Sequence, residues 1–429
     1  MQLSIAIMAA GLGTRMKSTT PKVLHELSGF SMLYHIIKEA QKISDDVHVI
    51  LYHQASLVQE KMEHFFSGIH YVIQDHANYP GTGGAIRNVV PKHDHLLVVS
   101  GDMPLLEAQN MQNFTHFDAD VVMSTFLARN PFGYGRVIMD ENHFVKYIVE
   151  EKDATEEEKK VHAVNAGVYL FKSTFLKENI SKLSNNNAQK EYYITDLIPL
   201  AKSVKALIVD EETFMGVNSK YQLSLAENSM QERIKRRFME QGVLMRLPQT
   251  IYIEADVIIE GESILENGVT LLKGSRIIDS HIKAHSVVEK STIEHSDIGP
   301  MARIRPDSHI KNTHIGNFVE IKKSTLTGVK AGHLSYLGDA IIGEGTNIGC
   351  GTITCNYDGK AKYKTIIGKN VFVGSDTQLI APVTVEDDVL IASGTTITKD
   401  IPKGSLAINR EPLKIVEGFF YKFFGKKDA

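Results

Sequence analysis

The order of apolar and polar positions changes character near residue 248. Before about residue 220, short apolar runs alternate with longer stretches of mixed polarity. The apolar runs predict strands at 3–9, 47–52, 71–74, 96–100 and 121–127, and the stretch 32–43 predicts a helix. Strands that alternate with helices predict a mostly parallel sheet covered by helices, an α/β fold. Such sheets bind ligands at the carboxyl ends of their strands.

A Pro-free stretch at 221–242 predicts a single connecting helix. Its apolar residues recur every four positions, at Ala226, Met230, Ile234 and Phe238. That spacing places them on one face, and Gly242 is a residue type that commonly ends helices. The basic run 235–237 is interpreted as a solvated helix face, with a phosphate site as the weaker alternative. We therefore expect a first domain at 1–220, a connecting helix at 221–242 and a second domain at 243–429.

After Pro248, aliphatic residues recur every six positions, a period that neither an ordinary helix nor a single alternating strand explains. One unbroken series consists of Ile367, Val373, Leu379, Val385, Ile391 and Ile397. Three such hexads close one triangular coil of a parallel β-helix, with the aliphatic side chains inside. About 160 residues at ~18 per coil predict on the order of nine coils. The irregular segment 355–364 predicts a loop extruded from the coils.

Composition narrows the classes of protein to which the chain can belong. A length of 429 residues allows two or three domains, and 47 Lys+Arg against 51 Asp+Glu give a net charge of −4. This balance argues against nucleic-acid and membrane partners. Two cysteines exclude a disulfide framework and a zinc ribbon. Because no apolar run reaches ~18 residues and the start lacks the basic region of a signal peptide, we expect a soluble cytoplasmic protein.

The first predicted strand leads directly into a glycine-containing loop at 11–17, with the sequence GLGTRMK, followed by Pro21 and Lys22. Glycines let the backbone approach an anion, backbone N–H groups can surround a phosphate, and Arg15 and Lys22 add positive charge. The spacing is that of neither a Walker loop nor a dinucleotide fingerprint, since Met16 stands where the third glycine belongs. The loop therefore predicts a site for a nucleotide polyphosphate.

Asp102 follows the predicted strand 96–100 and the flexible Gly101. A carboxylate at the end of a strand, beside a phosphate loop, is suited to hold Mg²⁺ against substrate phosphates. The alternative is an ordinary turn aspartate, which the neighbouring loop disfavours. Asn218 is a candidate second metal ligand, although asparagine after Gly216-Val217 is also typical of a turn. Gln74 is a candidate to present its amide to a base, beside the flexible segment 81–84.

The motifs stand in the order seen in sugar nucleotidyltransferases. They are GLGTRM at 11–16 with Pro21-Lys22, GTG at 81–83, Gly101-Asp102, GYGR at 133–136, IVEEKD at 148–153, NAQ at 187–189 with EYYITD at 191–196, and Gly216-Val217-Asn218. Over nearly its whole length, the chain resembles the bifunctional bacterial family that acetylates glucosamine-1-phosphate and uridylates N-acetylglucosamine-1-phosphate. This resemblance implies a Rossmann-like nucleotidyltransferase domain and a left-handed β-helix of hexapeptide repeats. It also implies synthesis of UDP-N-acetylglucosamine, a precursor of bacterial envelope polysaccharides.

The resemblance assigns a role to each motif in the first half. Residues expected to bind UTP or UDP-N-acetylglucosamine are Met8, Ala9, Ala10, Gly11, Arg15, Lys22, Gln74, Gly81, Thr82, Ser100, Gly101, Asp102, Gly135, Glu150, Asn165 and Asn218. Among them Gly135, Glu150 and Asn165 are expected to hold the sugar, and Asp102 and Asn218 to ligate Mg²⁺. The sugar-phosphate oxygen would attack the α-phosphorus of UTP in line, and pyrophosphate would leave. No general base is needed, because the attacking phosphate is already anionic, so Arg15 and Lys22 serve alignment and charge neutralisation.

The segment 330–339, KAGHLSYLGD, interrupts the hexads where polar residues cluster. Acetyl transfer from a thioester to an amine needs a base, and a neutral histidine suits that role near pH 7. The resemblance makes His333 this base, although a histidine on such a surface is by default merely solvated. Residues expected to bind glucosamine-1-phosphate are Arg305, Lys322, Tyr336 and Asn347. Our own hypothesis is that Glu320 orients His333.

The resemblance further implies that acetyl-CoA contacts Cys350, Asn356, Tyr357, Ser375, Ser393 and Arg410. Cys350 and Ser393 stand where the family has Ala, and both are small enough to fit. A metal or redox pair of Cys350 with Cys355 is a weak alternative, since no partnering histidine pattern accompanies them. The stretch 247–253 is short relative to the family, which predicts an incomplete first coil.

The prediction is thus a bifunctional enzyme that uses Mg²⁺, UTP and acetyl-CoA, with glucosamine-1-phosphate and N-acetylglucosamine-1-phosphate as further substrates. Flat β-helix faces that pack side by side predict a homotrimer, as in the family. One alternative is a single-function sugar-1-phosphate nucleotidyltransferase with a structural β-helix, against which His333 and Asn356-Tyr357 weigh. Another is a non-catalytic regulatory or scaffold subunit, against which Arg15, Lys22 and Asp102 weigh.

Overall fold

A computed structural model describes residues 2–132, 134–142, 144–149, 151, 154–187 and 189–425. The chain divides into two compact units, Met1–Gln231 and Glu232–Ala429. The boundary between the units falls within one long helix, α6 (Lys220–Glu240). The predicted connecting helix at 221–242 therefore exists, with its ends shifted by one or two residues.

The first unit alternates strands and helices, as the apolar pattern predicts. Its strands are β1 Ser4–Met8, β2 Glu26–Leu27, β3 Phe30–Ser31, β4 Asp46–Leu51, β5 Ile69–Ile73, β6 His95–Ser100, β7 Val121–Leu127, β8 Arg136–Met139, β9 Val145–Val149, β10 Ala163–Lys172 and β11 Val204–Ile208. Its helices are α1 Met32–Ala40, α2 Ala55–Glu63, α3 Thr82–Ile86, α4 Ala108–Gln112 and α5 Ser173–Asn179, followed by α6. Short 3-10 turns lie at Thr14–Met16, Lys22–Leu24, Asn113–His116, Glu158–Lys160, Ile180–Lys182 and Ile194–Leu200.

The central sheet has the strand order β11-β7-β10-β6-β1-β4-β5, with β8 and β9 attached through β10. Strands β6, β1, β4 and β5 run parallel to one another, so their carboxyl ends meet at one edge of the sheet. β10 runs antiparallel to both neighbours, which makes the sheet mixed. The edge of the four parallel strands is where the sequence predicts nucleotide binding.

Helices cover both faces of this sheet, because alternate side chains of each buried strand point to opposite sides. On one face, strand residues such as Ile5 and Val49 pack with Ile36 of α1 and Val58 of α2. On the other face, strand residues such as Ala6 and Val98 pack with Ile86 of α3 and Leu176 of α5. The two layers hold the strand ends, and hence the loops that follow them, in fixed positions.

In its described residues, 232–425, the second unit contains 27 short strands arranged in three parallel sheets of ten, nine and eight. The first sheet contains Leu244–Met245, Ile264–Leu265, His281–Ile282, Asp297–Ile298, His314–Asn317, Lys330–His333, Asn347–Ile348, Phe372–Val373, Leu390–Ile391 and Leu406–Ala407. The second contains Tyr252–Ile253, Thr270–Leu271, Val287–Val288, Arg303–Ile304, Glu320–Lys322, Tyr336–Gly338, Ile353–Cys355, Gln378–Ile380 and Thr396–Ile397. The third contains Ile258–Glu260, Arg276–Ile278, Thr292–Glu294, His309–Lys311, Thr325–Thr327, Ala340–Ile342, Thr365–Ile367 and Val383–Val385. A short helix, α7 (Phe419–Phe424), follows the last coil.

The period of six is the period of these strands, and the predicted β-helix fold is confirmed. Aliphatic residues of successive coils stack on one another in the interior, for example Ile298 on Ile282 and Ile315 on Ile298. All three side chains are fully buried. The buried aliphatic residues therefore build a continuous core, in which each coil covers the next.

The expectation of an incomplete first coil is wrong. The strands Leu244–Met245, Tyr252–Ile253 and Ile258–Glu260 supply one strand to each of the three faces. The 3-10 turn Pro248–Thr250 forms the corner between the first two, so a short connection suffices. The predicted loop at 355–364 does leave the coils, between the strands Ile353–Cys355 and Thr365–Ile367.

Candidate active sites

The glycine-containing loop begins where β1 ends and crosses the carboxyl edge of the parallel strands. Gly13 has a positive φ of 64°, and a Cβ there would lie 2.7 Å from Cβ of Lys22. Glycine is therefore required at this position both for backbone conformation and for clearance. The turn that it begins, Thr14–Met16, exposes Arg15 and buries Met16. The third glycine of a dinucleotide fingerprint is thus replaced by a core residue.

Lys22 lies between two oxygen atoms that the sequence assigns to a metal ion. Its ammonium forms an ion pair with Oδ2 of Asp102 and donates a hydrogen bond of 2.8 Å to Oδ1 of Asn218. Arg15 donates from Nη2 to the same Asn218 oxygen, also at 2.8 Å. Residues that lie far apart in the sequence are therefore joined in one connected group. A carboxylate oxygen and an amide oxygen that face one cationic centre fit the ligands that Mg²⁺ takes from proteins.

Two hydrogen bonds fix the backbone of Val217 and Asn218 beside Asp102. The N–H of Val217 donates to the carbonyl oxygen of Asp102 at 2.8 Å, and the N–H of Asn218 donates to Oε1 of Gln222 at 2.8 Å. Gly216 passes so close to the Asp102 carboxylate that a Cβ would lie 3.2 Å from its Oδ1. The backbone of the Gly216-Val217-Asn218 motif therefore packs beside the Asp102 carboxylate, and the motif is not an isolated turn.

The residues predicted to lie near the nucleotide base form a second hydrogen-bonded group. Gln74 is buried, and its Nε2 donates to the carbonyl oxygens of Tyr79 and Gly81, each at 3.1 Å. The amide oxygen is then the atom that Gln74 can present to a ligand. The hydroxyl of Thr82 accepts from the N–H of Ile194 at 3.0 Å, and the carbonyl of Tyr192 accepts from the N–H of Gly83 at 2.8 Å. The EYYITD segment is thus attached to the flexible glycine segment.

Two cavities meet at the carboxyl edge of the sheet. One, of about 430 Å³, is lined by Met8, Ala9, Ala10, Gly11, Leu12, Gly13, Thr14, Arg15, Lys22, Val23, Gln74, His76, Gly81, Thr82, Ala85, Ser100, Asp102, Glu191 and Asn218. The other, of about 280 Å³, is lined by Met8, Ser100, Asp102, Met103, Phe126, Tyr134, Asn165, Ala166, Gly167, Glu211, Phe214, Met215, Gly216 and Asn218. Both cavities include Asp102 and Asn218. The pair therefore stands at the junction of a nucleotide-sized cleft and a smaller neighbouring one.

Of the residues predicted to bind the sugar, only some line the smaller cavity. Asn165 lines it, and its amide is held by the hydroxyl of Tyr169 and the N–H of Gly167 at 2.6 and 3.0 Å. Gly135 does not line it but accepts from the N–H of Asn165 at 3.0 Å. Gly101 lies below the cleft, where its N–H donates to the carbonyl of Met8 at 2.9 Å. Glu150 lies outside the described residues.

Sequence reasoning did not find several residues that line the smaller cavity. Phe126 and Tyr134 pack edge to face at 5.6 Å, and burial raises the pKa of Tyr134 above its ordinary value. Glu211, whose negative charge adds to that rise, lies on the loop before Gly216. Nothing in their local sequence distinguishes them from core or surface residues. Glu191, by contrast, belongs to the EYYITD motif, which was a usable signal for the larger cavity.

In the second unit, His333 is exposed at the end of the strand Lys330–His333. Its strand pairs with His314–Asn317 of the preceding coil, with Asn317 opposite His333. Asn347 stands opposite Lys330 on the following coil. An exposed imidazole at the edge of a rigid coil is accessible to substrate, as a general base must be.

Glu320 forms no hydrogen bond or ion pair with His333. Its Oε1 accepts a hydrogen bond of 2.7 Å from Nη1 of Arg305, on the preceding coil. The hypothesis that Glu320 orients the histidine is therefore not supported by this geometry. Glu320 instead orients the guanidinium group of Arg305, which the resemblance assigns to glucosamine-1-phosphate binding.

The cations around Lys322 form a compact basic cluster. The pKa of Lys322 is lowered, first because its ammonium faces that of Lys362, then because of burial and Arg305, while Asp339 opposes the shift. Lys362, on the extruded loop 355–364, was not found from the sequence, because its position depends on how that loop folds back. Arg305, Lys322 and Lys362 together provide the positive field that a sugar phosphate requires.

Asn356 and Tyr336 meet above a glycine. A Cβ on Gly338 would overlap the hydroxyl of Tyr336 and would lie 2.8 Å from Nδ2 of Asn356. Nδ2 of Asn356 donates to Oδ2 of Asp339 at 2.5 Å, which fixes the root of the extruded loop. Tyr357, the next residue, is 60% exposed. The loop is thus anchored at one residue and presents the following one to solvent.

Four of the residues assigned to acetyl-CoA lie on successive coils at one corner of the β-helix. The N–H of Asp376 donates to the carbonyl of Cys350 at 2.7 Å, which places Ser375 beside Cys350. The N–H of Gly394 donates to the carbonyl of Ser375 at 2.8 Å, and Arg410 donates from Nη2 to the carbonyl of Ser393 at 3.1 Å. The arrangement is an elongated column, which suits an extended ligand.

Both cysteines are free. Burial raises the pKa of the Cys355 thiol, which makes it a poor metal ligand and a poor nucleophile. Within the described part of the chain, no group of three or more His, Cys, Asp or Glu side chains is placed to hold a metal ion. The described residues also contain no helix long and apolar enough to cross a membrane.

Family models match both units. Residues 5–155 match the MobA-like NTP transferase domain, and residues 364–399 match the bacterial transferase hexapeptide with six repeats. The first match contains the glycine loop and Asp102. The second covers the coils that carry Ser375 and Ser393.

Curated proteins match the chain from end to end. The chain is 65% identical to "Bifunctional protein GlmU" of a Nitratiruptor species, over 99% of this chain and 100% of that protein. It is 60% identical to the protein of the same name in Aliarcobacter butzleri, over 99% of each chain. It is 53% identical to that of Campylobacter jejuni (strain RM1221), over 99% of this chain and 100% of that protein.

Proposed function

The chain belongs to the family of bifunctional GlmU proteins, and from this premise we propose which residues carry out each of its two transfers. It is a bifunctional transferase of UDP-N-acetylglucosamine synthesis, with uridylyltransferase and acetyltransferase activities, as predicted from the sequence. A single-function enzyme and a non-catalytic scaffold are disfavoured, because relatives that span both units are bifunctional proteins.

Uridylyl transfer is assigned to residues 1–220, and the contact of Arg15 and Lys22 with the Asp102 and Asn218 pair carries this assignment. The nucleotide would lie in the larger cavity, with its phosphates on the glycine loop and its base near Gln74. N-acetylglucosamine-1-phosphate would occupy the smaller cavity, where Asn165 is already oriented. The attacking phosphate oxygen and the α-phosphorus would then meet beside Asp102, where both cavities join.

Asp102 and Asn218 would hold Mg²⁺ through one oxygen each. Bound there, the ion would neutralise charge that develops on the phosphates during the displacement. Arg15 and Lys22 would fix the orientation of the polyphosphate, because their N–H donors point in defined directions. No residue is required to accept a proton in this step.

Acetyl transfer is assigned to residues 243–429, joined to the first domain by the helix at 221–242. His333 would remove the proton from the amine of glucosamine-1-phosphate as that nitrogen attacks the thioester carbonyl of acetyl-CoA. The C–S bond would then break, and CoA would leave as the thiol with the proton returned from His333. Arg305, Lys322 and Lys362 would bind the sugar phosphate, and Tyr336 and Asn347 the sugar. Acetyl-CoA would extend along the column that contains Cys350, Ser375, Ser393 and Arg410, with Asn356 and Tyr357 beside it.

We further propose that the protein is a cytoplasmic homotrimer. On the first face of the β-helix, Phe372, Leu390 and Leu406 stack in register and are 53%, 48% and 62% exposed. Side-by-side packing of parallel chains would cover this apolar row. The aromatic segment α7 is exposed as well, with Phe423 at 71%. The two free cysteines suit a reducing compartment.

The test supplies the full chain with glucosamine-1-phosphate, acetyl-CoA, UTP and Mg²⁺, and measures free CoA and pyrophosphate separately. We expect both products, with pyrophosphate release dependent on prior acetylation of the sugar. Supplying N-acetylglucosamine-1-phosphate directly should restore pyrophosphate release without acetyl-CoA. Pyrophosphate release without any CoA release from glucosamine-1-phosphate would contradict the bifunctional assignment. CoA release without pyrophosphate would contradict the role given to the first unit.

A further inference from the structure

The ammonium group of Lys22 contacts both of the oxygens that are proposed to bind a metal ion. Lys22 is paired with Oδ2 of Asp102 and donates to Oδ1 of Asn218 at 2.8 Å. The side chains of Lys22 and Asp102 are only 14% and 9% exposed, so solvent screens their pairing weakly. Because the ammonium engages both oxygens, a metal ion that bound both would compete with Lys22 for them.

The side-chain oxygen of Asn218 already accepts two hydrogen bonds. Its Oδ1 accepts from Lys22 and from Arg15, in each case at 2.8 Å. An amide oxygen has two lone pairs, and two N–H donors use both of them. Coordination of a metal by this oxygen therefore requires that at least one cationic side chain leave it.

Lys22 and Arg15 lose charge-assisted partners when they leave, and they need acceptors elsewhere. Both side chains line the cavity that contains the glycine loop. A nucleotide triphosphate bound there carries enough phosphate oxygens to accept both, whereas a metal ion alone carries none and adds positive charge.

We propose that Lys22, assisted by Arg15, acts as an exchangeable cation that blocks the metal site until a nucleotide triphosphate takes up its ammonium group. This inference rests on the proposed function of the first unit and adds to it the order in which the metal and the nucleotide bind. A divalent metal enters productively with the nucleotide and not before it. By linkage, the metal and the nucleotide strengthen each other's binding by the same factor.

The experiment measures binding of Mn²⁺ alone to the full chain by electron paramagnetic resonance of the free ion, without nucleotide or sugar. Lys22→Met removes the blocking ammonium group and keeps an unbranched side chain of similar length. We expect Mn²⁺ to bind this variant roughly tenfold to a hundredfold more tightly than the wild type, the range of a charge-assisted hydrogen bond. Arg15→Met, which frees only one donor to Asn218, should give a smaller gain of about threefold to tenfold.

Two variants serve as controls. Lys17→Met removes one positive charge from the exposed part of the same loop and should bind Mn²⁺ as the wild type does. The double variant Lys22→Met with Asp102→Asn should lose the gain, because the carboxylate that the metal would use is gone. Thermal unfolding checks that each variant is folded. If Lys22→Met does not fold, Arg15→Met decides the outcome.

The inference is overturned if neither Lys22→Met nor Arg15→Met binds Mn²⁺ more tightly than the wild type. It is also overturned if the gain persists after Asp102 is replaced, since the metal would then bind elsewhere. Either result, together with normal pyrophosphate release by the wild type, defeats the ordered exchange alone. Failure of the wild type to release pyrophosphate under any order of addition would instead defeat the proposed function.

Discussion

Arg305 donates a hydrogen bond from Nη1 to Oε1 of Glu320 across neighbouring coils, at 2.7 Å. Both side chains are about 40% exposed, at 41% and 40%, so the pair is partly screened by solvent. We expect Glu320→Gln to raise the KM for glucosamine-1-phosphate by about twofold to fivefold, because Arg305 loses its orientation. The kcat of acetyl transfer and its pH profile should stay close to those of the wild type. A fall in kcat with a shifted pH profile would indicate that Glu320 acts on His333 after all.

His333→Ala should separate the two activities. Loss of a general base lowers acetyl transfer by roughly 10²-fold to 10⁴-fold, whereas uridylyl transfer uses none of the residues of the second unit. We expect CoA release to fall by that factor and pyrophosphate release from N-acetylglucosamine-1-phosphate to change less than about twofold. His309→Ala, an exposed histidine on another face of the β-helix, is the matched control and should change neither rate. Equal losses of both activities would mean that the units are not independent.

Gly13 and Gly11 should respond differently to alanine. At Gly13 the φ of 64° and the nearby Lys22 make any Cβ strained, so Gly13→Ala should destabilise the fold by about 1–3 kcal/mol. At Gly11 no atom lies within 4 Å of the position of a Cβ, so the fold should tolerate alanine. The KM for UTP should nevertheless rise in Gly11→Ala, because the methyl group occupies the space of the approaching phosphate. Thermal unfolding and pyrophosphate release measure the two effects, and equal destabilisation of both variants would contradict the distinction.

Lys322 should make phosphate binding sensitive to alkaline pH. The charged form of Lys322 attracts the sugar phosphate, and the facing ammonium of Lys362 holds the pKa of Lys322 below its ordinary value. As the pH rises through that lowered pKa, Lys322 loses its charge, so the KM for glucosamine-1-phosphate should rise at a lower pH than an unperturbed lysine would permit. Lys362→Met should move this rise to higher pH, even if the KM at neutral pH is larger. Lys360→Met, on the exposed part of the same loop, should leave the profile in place.

Much of the architecture follows from local sequence pattern. A period of six places one inward-facing aliphatic at the same point of successive coils, and stacking of the coils buries these residues, as Ile298 and Ile315 show. The glycine loop is equally local, because Arg15 and the backbone proposed to bind phosphate lie within a few residues of the end of β1. Strand and helix ends were less well predicted. The helix expected at 32–43 ends at Ala40, and the strand expected at 71–74 is Ile69–Ile73, since pairing with β4 and not hydropathy sets its limits.

The sequence by itself determined the two kinds of domain, the family and the residue types that bear charge. Only the tertiary structure decided which charges meet. Lys22 and Asn218 are 196 positions apart, and Lys22 and Asp102 are 80 apart, so no local pattern relates them. The same holds for Glu320, which pairs with Arg305 on the neighbouring coil and not with His333. A hydrogen bond forms over about 3 Å whatever the separation along the chain, and the packing of sheet edges and coils therefore determines which side chains come within that distance.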